Sequence, residues 1–325
     1  MKNFRCTFEK NQFFLMEVIH NIKNYQPKKP SILTIGTFDG LHIGHQKIIH
    51  NLVSKAKKED LCSLVLTFFP HPRMVLQKDT QLKMIDTIEE KRQLLEKLGV
   101  EILIIQPFNR EFSRMTALEY TRDILVNGLG ISKLIIGYDH RFGRNREATI
   151  EDLKHFGLDY NFTVEEIPVQ DVESIAVSST KIRNAIITGH IKKANQFLGR
   201  HFLLCGTVVK GDKIGRKMGY PTANILIKEE YKLKPQNGVY LVQCHLYNQK
   251  FFGMMNVGKR PTISGKETQI ETHFFEFEED LYGKKLKIEL LEKIRDEQKF
   301  DSLELLVEQL GVDKKNCQEL IPYYL

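Results

Sequence analysis

The chain has 325 residues, and because an average domain has about 150, its length favours two domains over one. Hydrophobic residues make up 42% and charged residues 27% of the chain, a balance that excludes a fibrous or disordered protein. The formal net charge is +7, from 48 basic and 41 acidic residues whose signs are interleaved. This pattern favours a site that binds anions over a surface that binds nucleic acid.

The cysteines and the apolar runs further limit the classes of protein to which the chain can belong. The five cysteines are widely spaced and include no Cys-x-x-Cys pair, which argues against a disulfide framework and a structural zinc site. A reducing cytoplasm is therefore the compartment that we expect. No stretch approaches the roughly 18 uninterrupted apolar residues of a membrane span, so we expect neither a span nor a secretory leader.

The first part of the chain alternates short apolar runs with segments of helical spacing. Several runs are continuously apolar, which predicts strands covered on both faces of a parallel sheet. Alternation of such strands with helices is typical of a doubly wound, Rossmann-like α/β domain. The predicted strands are Ser31–Thr37, Ser63–Phe69, Glu101–Ile105, Lys133–Gly137 and Thr163–Ile167, and the predicted helices are Gln46–Lys58, Ile88–Leu98, Ala117–Val126 and Thr180–Ile187.

The pattern changes after a short predicted helix at Ile191–Leu198. Strand signals then follow in quick succession between Gly, Pro and Asn turn residues, which predicts a small antiparallel β-barrel. An amphipathic segment at Ser302–Leu310, N-capped by Ser302, predicts a C-terminal helix. We therefore predict an α/β domain at residues 1–190 and a barrel domain at residues 191–325. The predicted barrel strands are Phe202–Val209, Gly238–Leu246, Phe251–Val257, Gln269–Phe277 and Lys285–Leu291.

The strongest chemical signal is the segment from Gly36 to His45, between the first predicted strand and the first predicted helix. Glycines such as Gly36 and Gly40 let the backbone approach a ligand, and the start of a helix attracts phosphate through its free N–H groups. His42 and His45 are three residues apart, so both imidazoles can donate to phosphate oxygens from one side. The segment, with Phe38 inside it, therefore predicts a phosphate site.

Two other interpretations of this histidine pair exist. Histidines near a turn are often solvated surface residues, although the strand-to-helix context here favours a ligand site. A zinc site would need a third ligand, and neither a cysteine nor a carboxylate lies at a useful spacing. The string His42-Ile43-Gly44-His45 resembles the HxGH signature of the nucleotidyltransferases, which catalyse attack on an α-phosphorus with release of pyrophosphate.

Three further segments follow predicted strands, at the edge where an open α/β sheet binds its ligands. Each also has a simpler interpretation, as a rigid turn, a solvated loop or a helix cap. The charge of Lys181 and Arg183 beside free helix N–H groups favours phosphate binding at the last of them. The segments centre on His71, on Asp139 with Phe142, and on Ser178, Ser179, Thr180 and Arg183.

The barrel region contains a basic, glycine-rich loop. Lys217 lies between Gly215 and Gly219, and the loop ends in Thr222 and Asn224. Its spacing is not that of a Walker A loop. Flexible glycines with a lysine can still fold over a triphosphate, and hydroxyl and amide oxygens are hard ligands that Mg²⁺ accepts. An ordinary turn is the simpler alternative.

A carboxylate follows on a predicted strand of the same region. Glu271, His273 and Phe275 alternate along that strand and therefore share one face. A carboxylate that projects from a barrel can orient and deprotonate an attacking hydroxyl, and because phosphoryl transfer depends mainly on positioning, the base need not be strong. Such strand faces more often point to solvent, so this signal is weak by itself.

Taken in order, the segments of the first part look like the adenylyltransferase half of the bacterial bifunctional riboflavin kinase/FAD synthetase family. The barrel region resembles the riboflavin kinase module of that family over about Arg200 to Leu310. The two likenesses cover nearly the whole chain beyond residue 30. The second rests on six motifs in family order, at Gly219 to Asn224, Gly238 to Tyr240, Asn256 to Thr262, Glu271 to His273, Asp280 to Gly283 and Arg295 to Phe300.

The resemblance implies roles for individual residues. His42 and His45 would stabilise charge on the ATP phosphates, and Glu271 would be the base that acts on the ribityl 5′-hydroxyl. Thr222 and Asn224 would hold Mg²⁺ and phosphate. The other implied ATP or phosphate contacts are Gly36, Phe38, Gly40, Ser178, Ser179, Thr180, Arg183, Gly215, Lys217 and Gly219, and the implied flavin contacts are His71, Asp139, Phe142 and Arg295.

Two positions depart from the family pattern. Ala176 stands two residues before the serine pair, where the family often has a basic residue, and this weakens the expected affinity for triphosphate. His140 stands where the family often has Phe, which weakens the expected flavin contact.

The resemblance implies a two-domain enzyme of flavin cofactor synthesis. The barrel would phosphorylate riboflavin with ATP to give FMN, and the α/β domain would adenylylate FMN to FAD with release of pyrophosphate. The implied ligands are riboflavin, FMN, FAD, ATP and Mg²⁺, and neither a nucleic acid nor a membrane is an expected partner. A single-function nucleotidyltransferase that acts on another small phosphorylated substrate, with a non-catalytic barrel, is one alternative. A nucleic-acid-binding protein is another, but it would need aromatic residues within a basic groove, and no such cluster is apparent.

Overall fold

The computed structural model describes residues 15–77, 81–137, 141–167, 177–211, 214–247, 249–262 and 265–325. The chain forms two compact units, the first from stretches 1–38, 45–80 and 92–174 and the second from stretches 39–44, 81–91 and 175–325. The predicted succession of a parallel α/β fold and an antiparallel barrel is confirmed. The predicted domain boundary at residue 190 stays a prediction.

The first unit contains a six-stranded sheet in the order β1-β4-β3-β2-β5-β6, with every neighbouring pair parallel. All five residues of β2 are buried, as expected of a strand that is covered on both faces. This order brings the carboxyl ends of β2, β3, β4 and β5 to one edge. The strands are β1 Glu17–His20, β2 Ser31–Ile35, β3 Cys62–Phe69, β4 Ile102–Pro107, β5 Ile131–Gly137 and β6 Thr163–Ile167.

Strand β1 lies in the first 30 residues, where the sequence offered no usable motif. Its four residues pair with β4 at the edge of the sheet, and only one of them, Ile19, is fully buried. Because so short an edge strand needs few apolar residues, its pattern is too weak to predict a strand.

Helices connect the strands of the sheet. The predicted helix at Ala117–Val126 is only partly α-helical, because the α-helix covers Ala117–Glu119 and a π-helix continues over Tyr120–Val126. The wider π turn buries Tyr120, Thr121 and Leu125 together. The helices are α1 Ile43–Glu59, α2 Pro72–Leu76, α3 Ile88–Lys97, α4 Ala117–Glu119 and α5 Ile150–Tyr160, with short 3-10 turns at Ile22–Asn24, Phe112–Arg114 and Arg144–Arg146.

Helix α5 was not predicted, although its start carries a recognisable signal. The Thr149 hydroxyl accepts from the Asp152 backbone N–H, and the Asp152 carboxylate in turn accepts from the Thr149 backbone N–H. This reciprocal arrangement is a capping box, which the spacing of Thr149 and Asp152 could have revealed.

The second unit contains a closed barrel in the order β10-β11-β8-β7-β12-β9. Two helices precede it, α6 Ser179–Ile187 and α7 Ile191–Leu198, and one helical turn, α8 Ile214–Lys217, lies after its first strand. The four-residue strand β8 directly follows Pro221 and Thr222 and was not predicted. The strands are β7 Phe202–Val209, β8 Ala223–Leu226, β9 Gly238–Leu246, β10 Gln249–Thr262, β11 Gly265–Phe274 and β12 Lys285–Asp296.

The C-terminal helix α9 spans Leu303–Leu320 and continues as a 3-10 turn at Ile321–Tyr324. We predicted its end at Leu310, where Gly311 follows, but the helix runs on. Asp313 and Cys317 are both buried on its inner face, so packing against the barrel outweighs the low helix propensity of one glycine. No helix among the described residues has the length and apolar character needed to cross a membrane.

A buried ion pair lies in the core of the second unit. The Lys232 ammonium is 2.6 Å from the Glu90 carboxylate, and the two side chains are 0% and 1% exposed. The ammonium also donates to the Ile85 carbonyl at 2.6 Å, and the carboxylate accepts from the Thr87 backbone N–H at 2.7 Å. Each charge is therefore both paired and hydrogen-bonded.

We expect Lys232→Met to lower the free energy of unfolding by about 3 to 5 kcal/mol, because it leaves the buried Glu90 carboxylate without its cation. Equilibrium unfolding in urea measures the effect. Lys285→Met, at an exposed position of β12, is the matched control and should change stability by less than about 0.5 kcal/mol. Adding Glu90→Gln to Lys232→Met removes the lone charge and should recover part of the loss. Equal effects of the two single variants would contradict the ion-pair argument.

Candidate functional site

A cavity of about 550 Å³ lies in the second unit beside strand β11. Five of the predicted site residues line it, from the glycine-rich loop and from strands β8, β11 and β12. They are Gly215, Thr222, Asn224, Glu271 and Arg295. Gln269 and His273, which flank Glu271 at alternate positions of β11, line the same cavity, as residues on one strand face must.

The side chain of Gln269 connects two predicted site residues of this cavity, Glu271 and Asn224. Glu271 lies opposite Asn224 in the pairing of β11 with β8. The Gln269 amide nitrogen donates to the Glu271 carboxylate at 2.6 Å and to the Asn224 amide oxygen at 3.0 Å. Because one amide group binds both acceptors, the carboxylate of Glu271 and the amide oxygen of Asn224 are held side by side.

His273 supports this wall of the cavity. Its Nδ1 lies 2.9 Å from the Pro221 carbonyl oxygen, and because a carbonyl only accepts, Nδ1 must carry a proton. Burial lowers the pKa of His273, and its ring meets that of Tyr220 edge-on with centroids 5.4 Å apart. The imidazole therefore fixes the segment that leads to Thr222.

The glycine-rich loop folds back on itself. The Tyr220 N–H donates to the Gly215 carbonyl at 2.9 Å, and a Cβ at Gly215 would collide with the Tyr220 carbonyl oxygen. Gly219 has a φ of +80° and faces open space. Lys217 is the last residue of α8.

Arg295 projects from β12 and forms an ion pair with Asp313. Its Nε and a terminal nitrogen bind the two Asp313 carboxylate oxygens, the shortest contact being 2.7 Å. Asp313 is 0% exposed and belongs to α9, while the Phe300 ring lies 5.8 Å from the Arg295 guanidinium carbon. The predicted flavin residue Arg295 thus also fastens the C-terminal helix to the barrel.

A second cavity, of about 740 Å³, lies in the first unit at the carboxyl ends of strands β2 to β5. Three predicted site residues line it, namely Gly36, His71 and Phe142. His71 caps α2, because its Nδ1 accepts from the Arg73 N–H at 3.1 Å, so the ring carries its proton on Nε2 when neutral. Asp139 lies outside the described residues.

The wall of this second cavity is aromatic. Phe112 meets Tyr120 with ring centroids 6.0 Å apart, and Tyr120 meets Phe142 at 5.8 Å. Phe68 and Phe108 pack edge-on at 5.6 Å. Edge-on and tilted contacts of this kind form a rigid apolar surface, which a planar heteroaromatic ring can contact.

The rim of the second cavity is basic. Five arginines line it, and no acidic side chain is among the described residues that do so. These arginines carry no motif in the sequence, because they are spread over the three segments that follow β3, β4 and β5, which only the sheet order brings together. They are Arg73, Arg110, Arg114, Arg141 and Arg144.

The predicted phosphate turn is divided between the units. In the first unit, the Phe38 ring lies 3.0 Å from the position of a Cβ on Gly36, so a side chain at that position would require the ring to shift. The same ring meets the His45 ring edge-on at 5.3 Å. Phe38 has a φ of +43°, a left-handed conformation that costs a non-glycine residue about 1 to 3 kcal/mol.

The second unit contains the rest of the turn. Gly40 and Leu41 also have positive φ, +83° and +38°, and glycine suits the first of these without strain. His42 is 6% exposed, and burial lowers its pKa to about 4. Before a nucleotide binds, His42 is therefore neutral at pH 7.

Asp39 holds this turn, a role that the sequence analysis missed. Its carboxylate accepts from the Ile85 N–H at 2.9 Å and from the Arg183 guanidinium at 2.7 Å. Burial raises the pKa of Asp39, and the charges of Arg183 and Lys91 oppose that shift. A carboxylate inside a predicted phosphate-binding loop was the signal that could have found it.

The serine-rich segment starts α6. The Ser178 hydroxyl accepts from the Lys181 N–H as the N-cap, and the Ser179 hydroxyl donates to the Asp39 carbonyl at 2.8 Å. Thr180 is exposed in the first turn. Arg183, besides its ion pair with Asp39, donates from Nε to the Lys83 carbonyl at 3.0 Å. Ala176, like His140, lies outside the described residues.

Comparisons with known proteins match both parts of the chain. The FAD synthetase family model matches residues 24–181, and the riboflavin kinase family model matches residues 198–321. Relatives named bifunctional riboflavin kinase/FMN adenylyltransferase include one from Buchnera aphidicola, 38% identical over 92% of this chain and 96% of its own length. The relative from Escherichia coli K12 is 34% identical, over 94% and 97%, and that from Bacillus subtilis is 35% identical, over 94% and 95%.

A solved structure is similar over the same extent. It comes from Streptococcus pneumoniae, is described as a macrolide-efflux protein, and matches with a TM-score of 0.84 at 34% identity. The match covers 93% of this chain and 99% of that one. Its description differs from the names of the curated relatives, which agree with both family models.

Proposed function

This chain belongs to the family of bifunctional riboflavin kinase/FMN adenylyltransferases, and we propose that separate sets of its residues carry the two reactions. It phosphorylates riboflavin to FMN with ATP, and it adenylylates FMN to FAD with ATP. The observation that carries the proposal is the pair of cavities, one in each family match, whose linings suit the two reactions.

Glu271 is the base of the kinase reaction. The riboflavin 5′-hydroxyl attacks the γ-phosphorus of ATP, its proton passes to the carboxylate, and ADP leaves. The hydrogen bond from Gln269 to Glu271 fixes the direction of that carboxylate, and the His273 contact with Pro221 fixes the strand beside it. Since phosphoryl transfer depends mainly on positioning and charge neutralisation, a carboxylate of ordinary basicity suffices.

The families that match this chain use ATP and a divalent cation, and we assign Mg²⁺ to the barrel. Thr222 and Asn224 offer a hydroxyl and an amide oxygen on the wall that carries Glu271, and such hard oxygen donors fit Mg²⁺. Water and phosphate oxygens would complete its coordination. When bound, Mg²⁺ neutralises charge on the phosphates.

The loop at Gly215, Lys217 and Gly219 covers the triphosphate in the barrel. Two main-chain hydrogen bonds to the Gly215 carbonyl, from Met218 and Tyr220, fold it into a compact turn. Arg295 borders the flavin, and its ion pair with Asp313 keeps the guanidinium and Phe300 in place.

We expect Thr222→Val to raise the Mg²⁺ concentration for half-maximal FMN formation by about tenfold, because it removes one oxygen ligand worth on the order of 1 kcal/mol. Titrating Mg²⁺ with riboflavin and ATP measures this. Thr207→Val on β7, which does not line the cavity, is the control. An unchanged Mg²⁺ requirement would remove Thr222 from the metal site.

Adenylyl transfer uses the histidine turn and the start of α6. An FMN phosphate oxygen attacks the α-phosphorus of ATP, and pyrophosphate leaves. His42 and His45 donate to the phosphates in the transition state, and His42, whose pKa burial lowers to about 4, gains basicity when phosphate charge arrives. The backbone N–H groups of Ser179 and Thr180, at the start of α6, bind the β and γ phosphates together with Arg183.

The aromatic cavity of the first unit receives FMN. Phe142 and its ring neighbours contact the isoalloxazine, His71 borders it, and arginines of the rim bind its phosphate. Asp139 keeps its implied flavin contact, and Gly36, Phe38 and Gly40 keep their implied contacts with ATP. The cytoplasm is the compartment proposed for these reactions, in keeping with the free thiols of Cys62, Cys205, Cys244 and Cys317.

One product assay tests the whole proposal. The purified chain is incubated with riboflavin, ATP and Mg²⁺, and the flavins are separated chromatographically. We expect FMN first and FAD later, neither of them when EDTA is added, and FAD alone as the product from supplied FMN. Formation of FAD from FMN without any FMN from riboflavin would instead indicate a single-function adenylyltransferase.

A further inference from the structure

Arg200 makes an unusual set of contacts in the core of the second unit. One terminal nitrogen donates to the Gly40 carbonyl at 3.1 Å and also to both Asp86 carboxylate oxygens, at 2.6 and 2.7 Å. The other terminal nitrogen donates to the His201 carbonyl at 3.1 Å. The Arg200 side chain is 16% exposed and that of Asp86 is 0% exposed, so the pair is largely shielded from water.

The Gly40 carbonyl belongs to a strained turn. The non-glycine residues Phe38 and Leu41, on either side of Gly40, both have positive φ, and His42 follows directly. Strained backbone persists only where the surroundings hold it. Asp39 secures one side of the turn through Arg183 and the Ile85 N–H, and Arg200 secures the carbonyl of the next residue.

Arg200 lies outside the part of the chain that matches the adenylyltransferase. It is outside the FAD synthetase match at residues 24–181 and inside the riboflavin kinase match at residues 198–321. It does not line the barrel cavity that holds Glu271. Its hydrogen bond therefore reaches from the kinase part of the sequence to the histidine turn of the adenylyltransferase part.

We propose that Arg200 is a positioning residue for adenylyl transfer, which holds the Gly40 carbonyl so that His42 stays aimed at the phosphates. This inference rests on the proposed function. Asp86 in turn holds Arg200, because both of its oxygens accept from the terminal nitrogen that also donates to the Gly40 carbonyl. Adenylyl transfer thus needs an arginine that its own family match does not include.

A purely structural ion pair would behave differently. Its loss would lower stability and reduce both activities together. Loss of a positioning residue reduces the kcat of FAD formation while kinase kcat in the same sample is kept. The kinase activity of the same sample therefore serves as the internal control for the loss of FAD formation.

The test uses the full chain with two variants. Arg200→Met combined with Asp86→Asn removes both charges, so that neither is left buried alone. Arg200→Lys keeps the charge beside Asp86 but lacks the second terminal nitrogen, which donates to the His201 carbonyl, and the planar group that orients the first. The control is Arg122→Met with Asp123→Asn, which removes an exposed Arg–Asp ion pair. FAD formation from FMN and FMN formation from riboflavin are measured on each, with ATP varied.

We expect the double variant to lose on the order of a hundredfold in kcat for FAD formation, the usual effect of displacing a catalytic group by about 1 Å. Arg200→Lys should lose about tenfold, and KM for ATP should change less than kcat, as for an interaction expressed in the transition state. Kinase kcat and the surface control should stay within about twofold of the wild type.

The inference is overturned if FAD formation by Arg200→Lys stays at the wild-type rate, or if both activities of Arg200→Lys fall in parallel. Should the double variant lose both activities through misfolding, the selective loss in Arg200→Lys still supports the inference. A wild-type chain that makes no FAD from FMN would refute the proposed function instead, so the two failures are distinguishable.

Discussion

Glu271→Gln is expected to reduce FMN formation from riboflavin by at least about a hundredfold, because an amide cannot take the proton of the attacking hydroxyl. The substitution keeps the size of the side chain and its acceptor oxygen for Gln269, which donates to Glu271 at 2.6 Å. The wall of the cavity should therefore persist. Chromatography of the flavins formed from riboflavin and ATP measures the loss, and FAD formation from supplied FMN should be unchanged.

Glu279→Gln is the matched control for this experiment. Glu279 is exposed in the turn that follows β11, so its charge is removed without touching the cavity. We expect normal FMN formation from that variant. If Glu271→Gln also formed FMN at the wild-type rate, the base assignment would be wrong. If it lost both activities, Glu271 would have to be regarded as a structural residue.

The second large effect is expected for His45→Ala. Removing one donor that binds developing charge costs about 3 kcal/mol, on the order of a hundredfold in the rate of adenylylation. Release of pyrophosphate and formation of FAD from supplied FMN both report that rate. Kinase activity in the same preparation should be retained, because Glu271 and the barrel cavity belong to the other part of the chain.

His50→Ala controls for the loss of an imidazole from the same helix. His50 is exposed in α1, and its Nδ1 lies 2.8 Å from the Gln46 carbonyl, one turn back along the helix. We expect full adenylylation activity from this variant. An unchanged rate in His45→Ala would remove that histidine from the mechanism, whatever the control shows.

The sequence predicted regular elements where one physical signal dominates. Strand β2 is mostly apolar and fully buried, and helix α7 at Ile191–Leu198 has the predicted bounds. The short strands β1 and β8 were not predicted. Each has four residues, and its pairing depends on neighbouring strands. Helix α9 passes Gly311 because Asp313 binds Arg295, a contact that no local pattern contains.

Prediction of the candidate sites has the same limit, because the sequence does not show contacts between residues that are distant along the chain. His42 and Glu271 were recognisable because motifs mark them, and Thr222 and Asn224 followed from the chemistry of their oxygens. The ion pair of Asp39 with Arg183 joins residues 144 positions apart, and local spacing cannot reveal such a partner. The aromatic cavity likewise assembles only when the strand order of the sheet is known.

The five arginines around the aromatic cavity of the first unit have a consequence for the competition between riboflavin and FMN. Riboflavin is neutral, whereas FMN carries a phosphate that is largely dianionic at pH 7, and a basic rim distinguishes these two flavins by long-range attraction. If FMN binds in this cavity as we propose, the rim would select flavins by charge before any ring contact forms. Unphosphorylated flavin would gain little from that rim, so neutral riboflavin would compete only weakly with FMN for the proposed adenylyltransferase cavity.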